Sequence, residues 1–286
     1  MATSPTVLRW YIALELGRLR KDAGWTLKQS AERLGCSLSH ISHLESGRSL
    51  PPRAELEVLL DFYGVGERIP PFVDLLTACR RGKDWWLPFA GTVPPWFDLF
   101  LGLESAASQI ESYDAQVMPG LFQTPRYMEA VIRAGEVDLT EDEIGRRINL
   151  RLARQEVLTR TSEPPPTVWS VLDESVLHGA AGDPAIMSEQ LRYLVKLTSR
   201  PNIIILVLPV AARPHAGMDG TFKILSFPDL AGAPAVGYAD GRIRGSYYED
   251  PTEVLRYRNT LTRLHNLACH PEESQAKIRR RLEELP

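Results

Sequence analysis

The sequence is poor in cysteine and contains no long hydrophobic run. Its 286 residues include three cysteines, Cys36, Cys79 and Cys269. Because they are odd in number and far apart, they do not form the pattern of a disulfide framework, and we expect reduced, packed thiols. No stretch approaches 18 consecutive apolar residues, so no transmembrane helix is expected. The first residues lack a basic region followed by an apolar run, which predicts a cytoplasmic protein without a secretory signal.

Several motifs of catalytic sites are missing as well. The sequence has no GxSxG nucleophile elbow, no GxxxxGK[ST] phosphate-binding loop and no HExxH zinc motif. Candidates for acid–base chemistry do occur, namely Asp173, Glu174, His178, His215 and Asp219. Adjacent acids such as Asp173 and Glu174 more often cap a following helix than catalyse a reaction. We therefore expect that the protein is not an enzyme and that it needs no cofactor.

The chain also lacks an overall excess of positive charge, since its net charge is −3. The distribution is uneven, however. Residues 1–83 hold 12 Lys and Arg against 9 Asp and Glu, a net of +3, and the remaining residues hold 21 against 27, a net of −6. A basic module joined to an acidic body is compatible with DNA binding by the module alone.

Apolar residues at helical spacing predict a compact all-α domain in residues 1–83. Glycines stand where the predicted helices end, as at Gly24, Gly35 and Gly47, and serine or threonine stands where two of them begin. Five short helices are predicted, over residues 8–22, 27–34, 38–45, 53–63 and 70–81.

The stretch from Thr26 to Pro52 has the spacing of a helix-turn-helix unit. The first helix of the unit ends at Gly35, and Ser37 caps the next helix after a three-residue turn. In such units the second helix lies in the DNA major groove and its first residues meet base edges. The outward positions of this helix are polar and short: Ser39, His40, Ser42 and His43.

Residues 16–52 resemble the xenobiotic-response-element type of helix-turn-helix, the phage-repressor-like family, with glycines at 24, 35 and 47 and a proline pair at 51–52. The resemblance implies that Ser37 caps the recognition helix, that Lys28, Gln29 and Arg48 contact phosphates, and that Glu45 ties the helix to neighbouring backbone. Ser30 stands where the family usually has an apolar residue. The predicted DNA-binding residues are Thr26, Lys28, Gln29, Ser37, Leu38, Ser39, His40, Ser42, His43 and Arg48.

A metal site is the alternative interpretation of the same helix. Cys36, His40 and His43 are spaced i, i+4 and i+7, which places them on one helix face, as ligands often are. Cys36 occupies a core position of the motif, however, and both histidines stand on the face predicted to meet DNA. We therefore expect no metal here.

The segment that follows the first domain is predicted to be a hinge. Residues 82–95 are rich in glycine and proline, which indicates a linker. Aromatic side chains normally pack against a folded domain. Four of them stand in or beside this segment: Trp85, Trp86, Phe89 and Trp96. The predicted domains are therefore 1–83 (helix-turn-helix), 84–100 (hinge) and 101–286 (an effector- or partner-binding domain).

The last of these domains is predicted to be α+β. Thr140 and Glu143 have the spacing of a capping box. The run 202–208 is apolar at every position after Asn202, which predicts a central strand buried on both faces. Helices are predicted at 104–112, 125–134, 140–160, 184–199, 251–268 and 274–285. Strands are predicted at 167–172, 202–208, 221–227 and 235–239, with a short one within 242–248.

The second domain resembles the C-terminal module of a group of actinobacterial regulators described as antitoxin-like. The resemblance lies in the order of the segments 117–135, 146–158, 171–179, 186–209 and 215–227. It implies a regulator that acts together with a small protein partner, or with an effector of unknown identity. The charged segment 277–285 is amphipathic and fits either a partner-binding helix or a solvated terminal helix.

A small-molecule site is predicted around the loop 215–221, whose glycines allow a mobile lid. The candidate ligand-binding residues are Trp169, His215, Phe222 and Tyr238, although the aromatic ones among them also fit a core role. Because one short recognition helix reads only a few base pairs, we expect a homodimer on two half-sites of a double-stranded DNA operator.

Overall fold

The computed structural model describes residues 4–179, 183–227, 235–241 and 243–286. The chain forms two compact units, one of residues 1–88 with 98–106 and one of residues 89–97 with 107–286. The first is helical, and the second contains a six-stranded sheet with helices. The predicted fold class, an all-α helix-turn-helix domain followed by an α+β domain, is confirmed.

The helices of the first unit begin and end at residues whose local chemistry explains the boundary. The Ser4 side chain accepts from the backbone N–H of Val7 and so caps the first helix. The second helix ends at Gly35, whose φ of 67° is left-handed and favours glycine. The helices are α1 (Pro5–Asp22), α2 (Leu27–Leu34), α3 (Leu38–Glu45), α4 (Arg53–Phe62), α5 (Ile69–Arg81) and α6 (Phe97–Ala106).

The core of the first unit collects the apolar faces of α1 to α5. Ser30, the polar exception of the family pattern, is fully buried in this unit and accepts a hydrogen bond of 3.1 Å from the Tyr63 hydroxyl. Because a buried hydroxyl with a partner costs little, the serine is tolerated where an apolar residue is usual.

Replacing Tyr63 with phenylalanine is expected to lower the free energy of unfolding by about 1–2 kcal/mol, because it leaves the buried Ser30 hydroxyl without its partner. Urea denaturation of the two proteins measures the difference. The double variant Tyr63→Phe/Ser30→Ala removes both polar groups and should recover most of the loss. A double variant that is no more stable than the single one would contradict this account.

Helix α6 belongs to the first unit over residues 98–106. A Cβ at Gly102 would lie 2.7 Å from Val7 Cγ2 and 3.1 Å from Trp86 Cη2, so glycine permits a close approach to α1. The sequence places residues from 101 onward in the second domain and predicts a helix over 104–112. The helix lies instead at 97–106, because its apolar residues pack into the first unit.

The second unit alternates strands and helices up to residue 208. Three consecutive strands and then two helices complete it. The capping box of Thr140 and Glu143 is confirmed. The strands are β1 (Gln109–Asp114), β2 (Thr167–Asp173), β3 (Ile203–Leu208), β4 (Phe222–Ser226), β5 (Ala235–Ala239) and β6 (Ser246–Tyr248). The helices are α7 (Pro125–Gly135), α8 (Glu141–Gln155), α9 (Ser175–His178), α10 (Pro184–Leu197), α11 (Pro251–Leu267) and α12 (Pro271–Glu283).

The six strands form one mixed sheet in the order β3-β2-β1-β4-β5-β6. The first three strands in that order are parallel, and β4, β5 and β6 continue antiparallel. Helix α11 covers one face, against a core that includes Tyr113, Val171 and Phe222. The carboxyl ends of the parallel strands β1 and β2 lie beside the start of the antiparallel strand β4, at one end of the strands. Polar side chains collect there.

Strand β1 does not follow from the sequence, which indicates a helix over these residues. The strand carries several buried or half-buried polar residues, which obscure the alternation typical of a strand. Two of them satisfy each other, since the Ser112 hydroxyl donates to Asp114 Oδ2 at 2.6 Å. Ser170 of the neighbouring β2 donates to the same carboxylate oxygen at 3.3 Å. Pairing with β2 and β4 therefore stabilises a strand that its own sequence does not predict.

Strand β3 is an edge strand, which corrects the prediction that 202–208 forms a central strand. Its outer edge is covered by the segment that joins α11 to α12 and by the first turn of α12. The backbone N–H of Cys269 donates to the Val207 carbonyl, and Val207 N–H donates to the Ser274 hydroxyl, both at 2.9 Å. This cover buries the strand almost as fully as a central position would.

Candidate functional site

The turn before the recognition helix is built by local side-chain hydrogen bonds. Thr26 and Gln29 form a reciprocal capping box at the start of α2. At the start of α3 the Ser37 hydroxyl accepts from His40 N–H at 3.2 Å, and it shares a 2.9 Å hydrogen bond with the Ser39 hydroxyl. These contacts fix the direction in which α3 leaves the turn.

Most of the predicted DNA-binding residues lie on an exposed surface. Leu38 is 52% exposed, and an accessible apolar side chain can contact the methyl group of thymine. Contact of this surface with DNA stays a prediction. The exposed residues are Thr26, Lys28, Gln29, Ser37, Leu38, Ser39, Ser42, His43 and Arg48.

His40 differs from the other predicted residues of α3. Its Nε2 lies 2.8 Å from Glu55 Oε2 on α4, and both side chains are about one third exposed. One ring nitrogen is therefore engaged within the protein, and contact of Nε2 with a base would require this hydrogen bond to break. The sequence contains no local signal for this pairing, because Glu55 is fifteen residues away.

Glu45 holds the recognition helix against α1, but not through neighbouring backbone as predicted. Its two carboxylate oxygens accept from Arg20 Nε at 2.6 Å and Arg20 Nη2 at 2.9 Å, and both side chains are largely buried. The remaining Arg20 Nη1 donates to the Trp25 carbonyl at 2.7 Å. This bidentate pair links α1, the loop before α2 and the last turn of α3.

The three residues considered as metal ligands do not share one environment. Cys36 is half-buried beside the apolar core, His40 pairs with Glu55, and His43 is exposed. Within the described residues, no group of three or more His, Cys, Asp or Glu side chains is arranged to hold a metal ion.

Two known protein families match different parts of the chain. Residues 12–68 match the model of a helix-turn-helix domain, and residues 97–280, more than half of the chain, match the model described as a domain of unknown function, DUF5753. The chain belongs to the DUF5753 family. Its helix-turn-helix domain indicates a DNA-binding regulator. Neither a curated protein nor a solved structure matches the chain.

The DUF5753 domain does not bring the four candidate ligand residues together. Trp169 lies toward the start of β2, where its ring is 5.6 Å from that of His265. Tyr238 pairs with Lys223 in the register, so it faces away from the side of the sheet that carries Phe222. His215 and Phe222 do lie on one side, each near the Tyr113 ring.

His215 belongs to a polar cluster around Asp173 at the carboxyl end of β2. Arg213 Nη2 lies 3.0 Å from both carboxylate oxygens of Asp173, and the Tyr113 hydroxyl donates to Oδ2 at 3.3 Å. Ser175 donates to Oδ1 through both its hydroxyl and its backbone N–H. The His215 ring is buried, with Nε2 3.7 Å from Asp173 Oδ2.

This cluster makes stability depend on pH. Burial raises the pKa of Asp173, but hydrogen bonds from Ser175 and Arg213 outweigh it and hold the pKa below its ordinary value. Because the folded-state pKa is the lower one, the stabilisation is complete above the unfolded pKa of about 3.9 and is lost as pH falls through the folded value.

Thermal unfolding between about pH 5 and pH 3 should show a steeper loss of stability for the wild type than for Asp173→Asn. Equal slopes would mean that another carboxylate controls the acid transition.

Among the described residues, no helix combines the length and the hydropathy that crossing a bilayer requires.

Proposed function

We propose that the protein is a sequence-specific transcriptional regulator of the xenobiotic-response-element type, which reads its operator with α3. The observation that carries this proposal is the exposed polar face of α3, formed by Ser39, Ser42 and His43, on a helix held rigidly by the Arg20–Glu45 pair. Rigid support matters because base readout requires donors and acceptors placed in advance.

We also propose that it binds DNA as a homodimer. Helix α3 has eight residues, and such a helix contacts few base pairs. Two half-sites about one helical turn apart would provide the specificity that one helix lacks. Sedimentation of the protein with a palindromic operator tests this, since a dimeric regulator gives two chains for each duplex.

The role proposed for the DUF5753 domain is control of the DNA-bound state by a small molecule or a small protein partner, as in the antitoxin-like resemblance. We propose binding rather than catalysis, because the buried Asp173 carboxylate is saturated by Arg213, Ser175 and Tyr113. A signal that binds one arrangement of the protein more tightly shifts the population toward it.

Genomic binding in the native host, followed by gel shift on the enriched sequences, tests the function. Discrete palindromic sites are expected. Arg48→Ala and Lys28→Ala should each weaken binding to all sequences about equally and reduce the slope of log K against log salt by about 1, because each removes one phosphate contact. Lys83→Ala, which removes an exposed charge outside the helix-turn-helix, serves as the matched control. An absence of discrete sites for a wild type that is folded by circular dichroism would reject the function.

A further inference from the structure

A cavity of about 300 Å³ opens beside the antiparallel half of the sheet in the second unit. Its walls come from the loop 216–221, from β4 to β6 and from α11. This volume lies at the lower end of the range of small-molecule sites. The cavity includes Phe222 of the predicted ligand site and the glycine-containing loop, but not Trp169, His215 or Tyr238.

One wall of the cavity is aromatic. The ring of Tyr257 lies 5.0 Å from the ring of Phe222 and 4.9 Å from that of Tyr248. A Cβ at position 237 would lie 3.3 Å from both tyrosines, so Gly237 allows them to pack against the sheet. The three rings form a continuous electron-rich surface, and two of them carry hydroxyl groups.

The rim of the cavity carries three charged side chains. Asp219 and Glu253 are exposed carboxylates, and Arg256 is an exposed guanidinium. In the described ranges none of the three forms an ion pair. Burial raises the pKa of Tyr257, and a hydrogen bond with Tyr248 and the nearby carboxylates of Glu253 and Asp219 raise it further. Among the described lining residues, the rim carries two negative charges against one positive charge.

The loop that carries Asp219 is held at both ends. A Cβ at Gly217 would lie 2.6 Å from Tyr113 Cε1, so only glycine permits this approach of the backbone to the ring. At the other end, the Thr221 hydroxyl accepts from Ala115 N–H at 3.1 Å. Between them Gly220 has a φ of 125°, a conformation that side chains rarely adopt. The carboxylate of Asp219 is thus presented to the cavity by a loop whose ends are fixed.

We propose that this cavity binds a small organic cation, an amine with an apolar or planar body about the size of phenethylammonium. The ammonium group would lie between Asp219 and Glu253, and the body would lie against Phe222, Tyr248 and Tyr257, where a cation gains from the tyrosine faces. Carboxylates that form no ion pair among the described residues, together with an aromatic wall, favour a cation over a neutral or anionic ligand. The assignment of this ligand as an effector rests on the proposed function; the assignment of the binding site does not.

Isothermal titration of the full chain with phenethylammonium tests the site without DNA. We expect saturable binding at one site for each chain, at least about 10-fold tighter than for the neutral 2-phenylethanol or the anionic 3-phenylpropionate. The variant Asp219→Asn/Glu253→Gln should lose about 10-fold in affinity for the amine. Asp138→Asn/Glu272→Gln makes the same charge change at exposed positions outside the cavity and should bind as the wild type does.

Three results would overturn the site: no binding of phenethylammonium by the wild type, equal binding of 2-phenylethanol, or unchanged affinity in the Asp219→Asn/Glu253→Gln variant. Tighter binding of 3-phenylpropionate would assign the cavity to anions through Arg256 and would also reject the proposal. A gel shift with and without the amine separates the second question. Amine binding that leaves operator affinity unchanged would retain the cation site and reject its role as an effector site.

Discussion

Replacing Ser39 and His43 together with glutamate is expected to lower the affinity for a specific operator by at least about 100-fold. Both residues are exposed on α3, on the face that we place in the major groove. Removing a side chain that reads a base costs about 1–3 kcal/mol, and the two carboxylates add repulsion from the phosphates. Gel shift at fixed salt measures the effect.

The control for this experiment introduces two glutamates on another exposed helix surface of the first unit, in the variant Thr77→Glu/Arg81→Glu, which removes even more positive charge. It should reduce affinity only modestly, and more at low salt than at high salt. If both double variants reduced affinity equally, the effect would be one of net charge, and α3 would not be the recognition helix.

Replacing Glu45 with alanine is expected to destabilise the first unit by about 3–5 kcal/mol, because it leaves the guanidinium of Arg20 buried without its partner. Urea unfolding followed by tryptophan fluorescence measures the change, since Trp10, Trp25, Trp85 and Trp86 belong to the first unit. Glu32→Ala is the matched control, since Glu32 forms only an exposed pair with Lys28 and should change stability by less than about 1 kcal/mol.

A second variant separates the loss of the pair from the loss of packing. Arg20→Met/Glu45→Leu replaces both charges with apolar groups of similar length, and such exchanges are often neutral for buried pairs. We expect it to be clearly more stable than Glu45→Ala. Equal destabilisation of the two variants would mean that the geometry of the carboxylate, rather than the unpaired charge, holds α3 in place.

The helix-turn-helix unit could be predicted from the sequence because its signals are local. Thr26, Gly35 and Ser37 act within three or four residues of their own positions, so their roles follow from spacing alone. The partners of His40 and Glu45 are 15 and 25 residues away and depend on how helices pack. Spacing within one helix therefore indicates an exposed His40, although the ring pairs with Glu55.

In the second domain, contacts between distant segments decide more of the structure than local signals do. Strand β1 depends on its neighbours in the sheet, and its polar residues become acceptable only because Ser112, Asp114 and Ser170 satisfy one another. The four predicted ligand residues do not lie together, for a related reason. Trp169 and Tyr238 are aromatic residues of strands, but the end of the strand and the face of the sheet on which each lies follow from the register, which no single segment contains.

The cover over β3 has a consequence for how the protein behaves at high concentration. An open sheet edge is a template on which another chain can add a strand, and such addition leads to aggregates. Here one edge is occupied by the backbone of Cys269 and the hydroxyl of Ser274, and the opposite end of the sheet, β6, has three residues. Neither border offers a long template, so the folded chain is expected to resist fibril formation even when it accumulates in the cell.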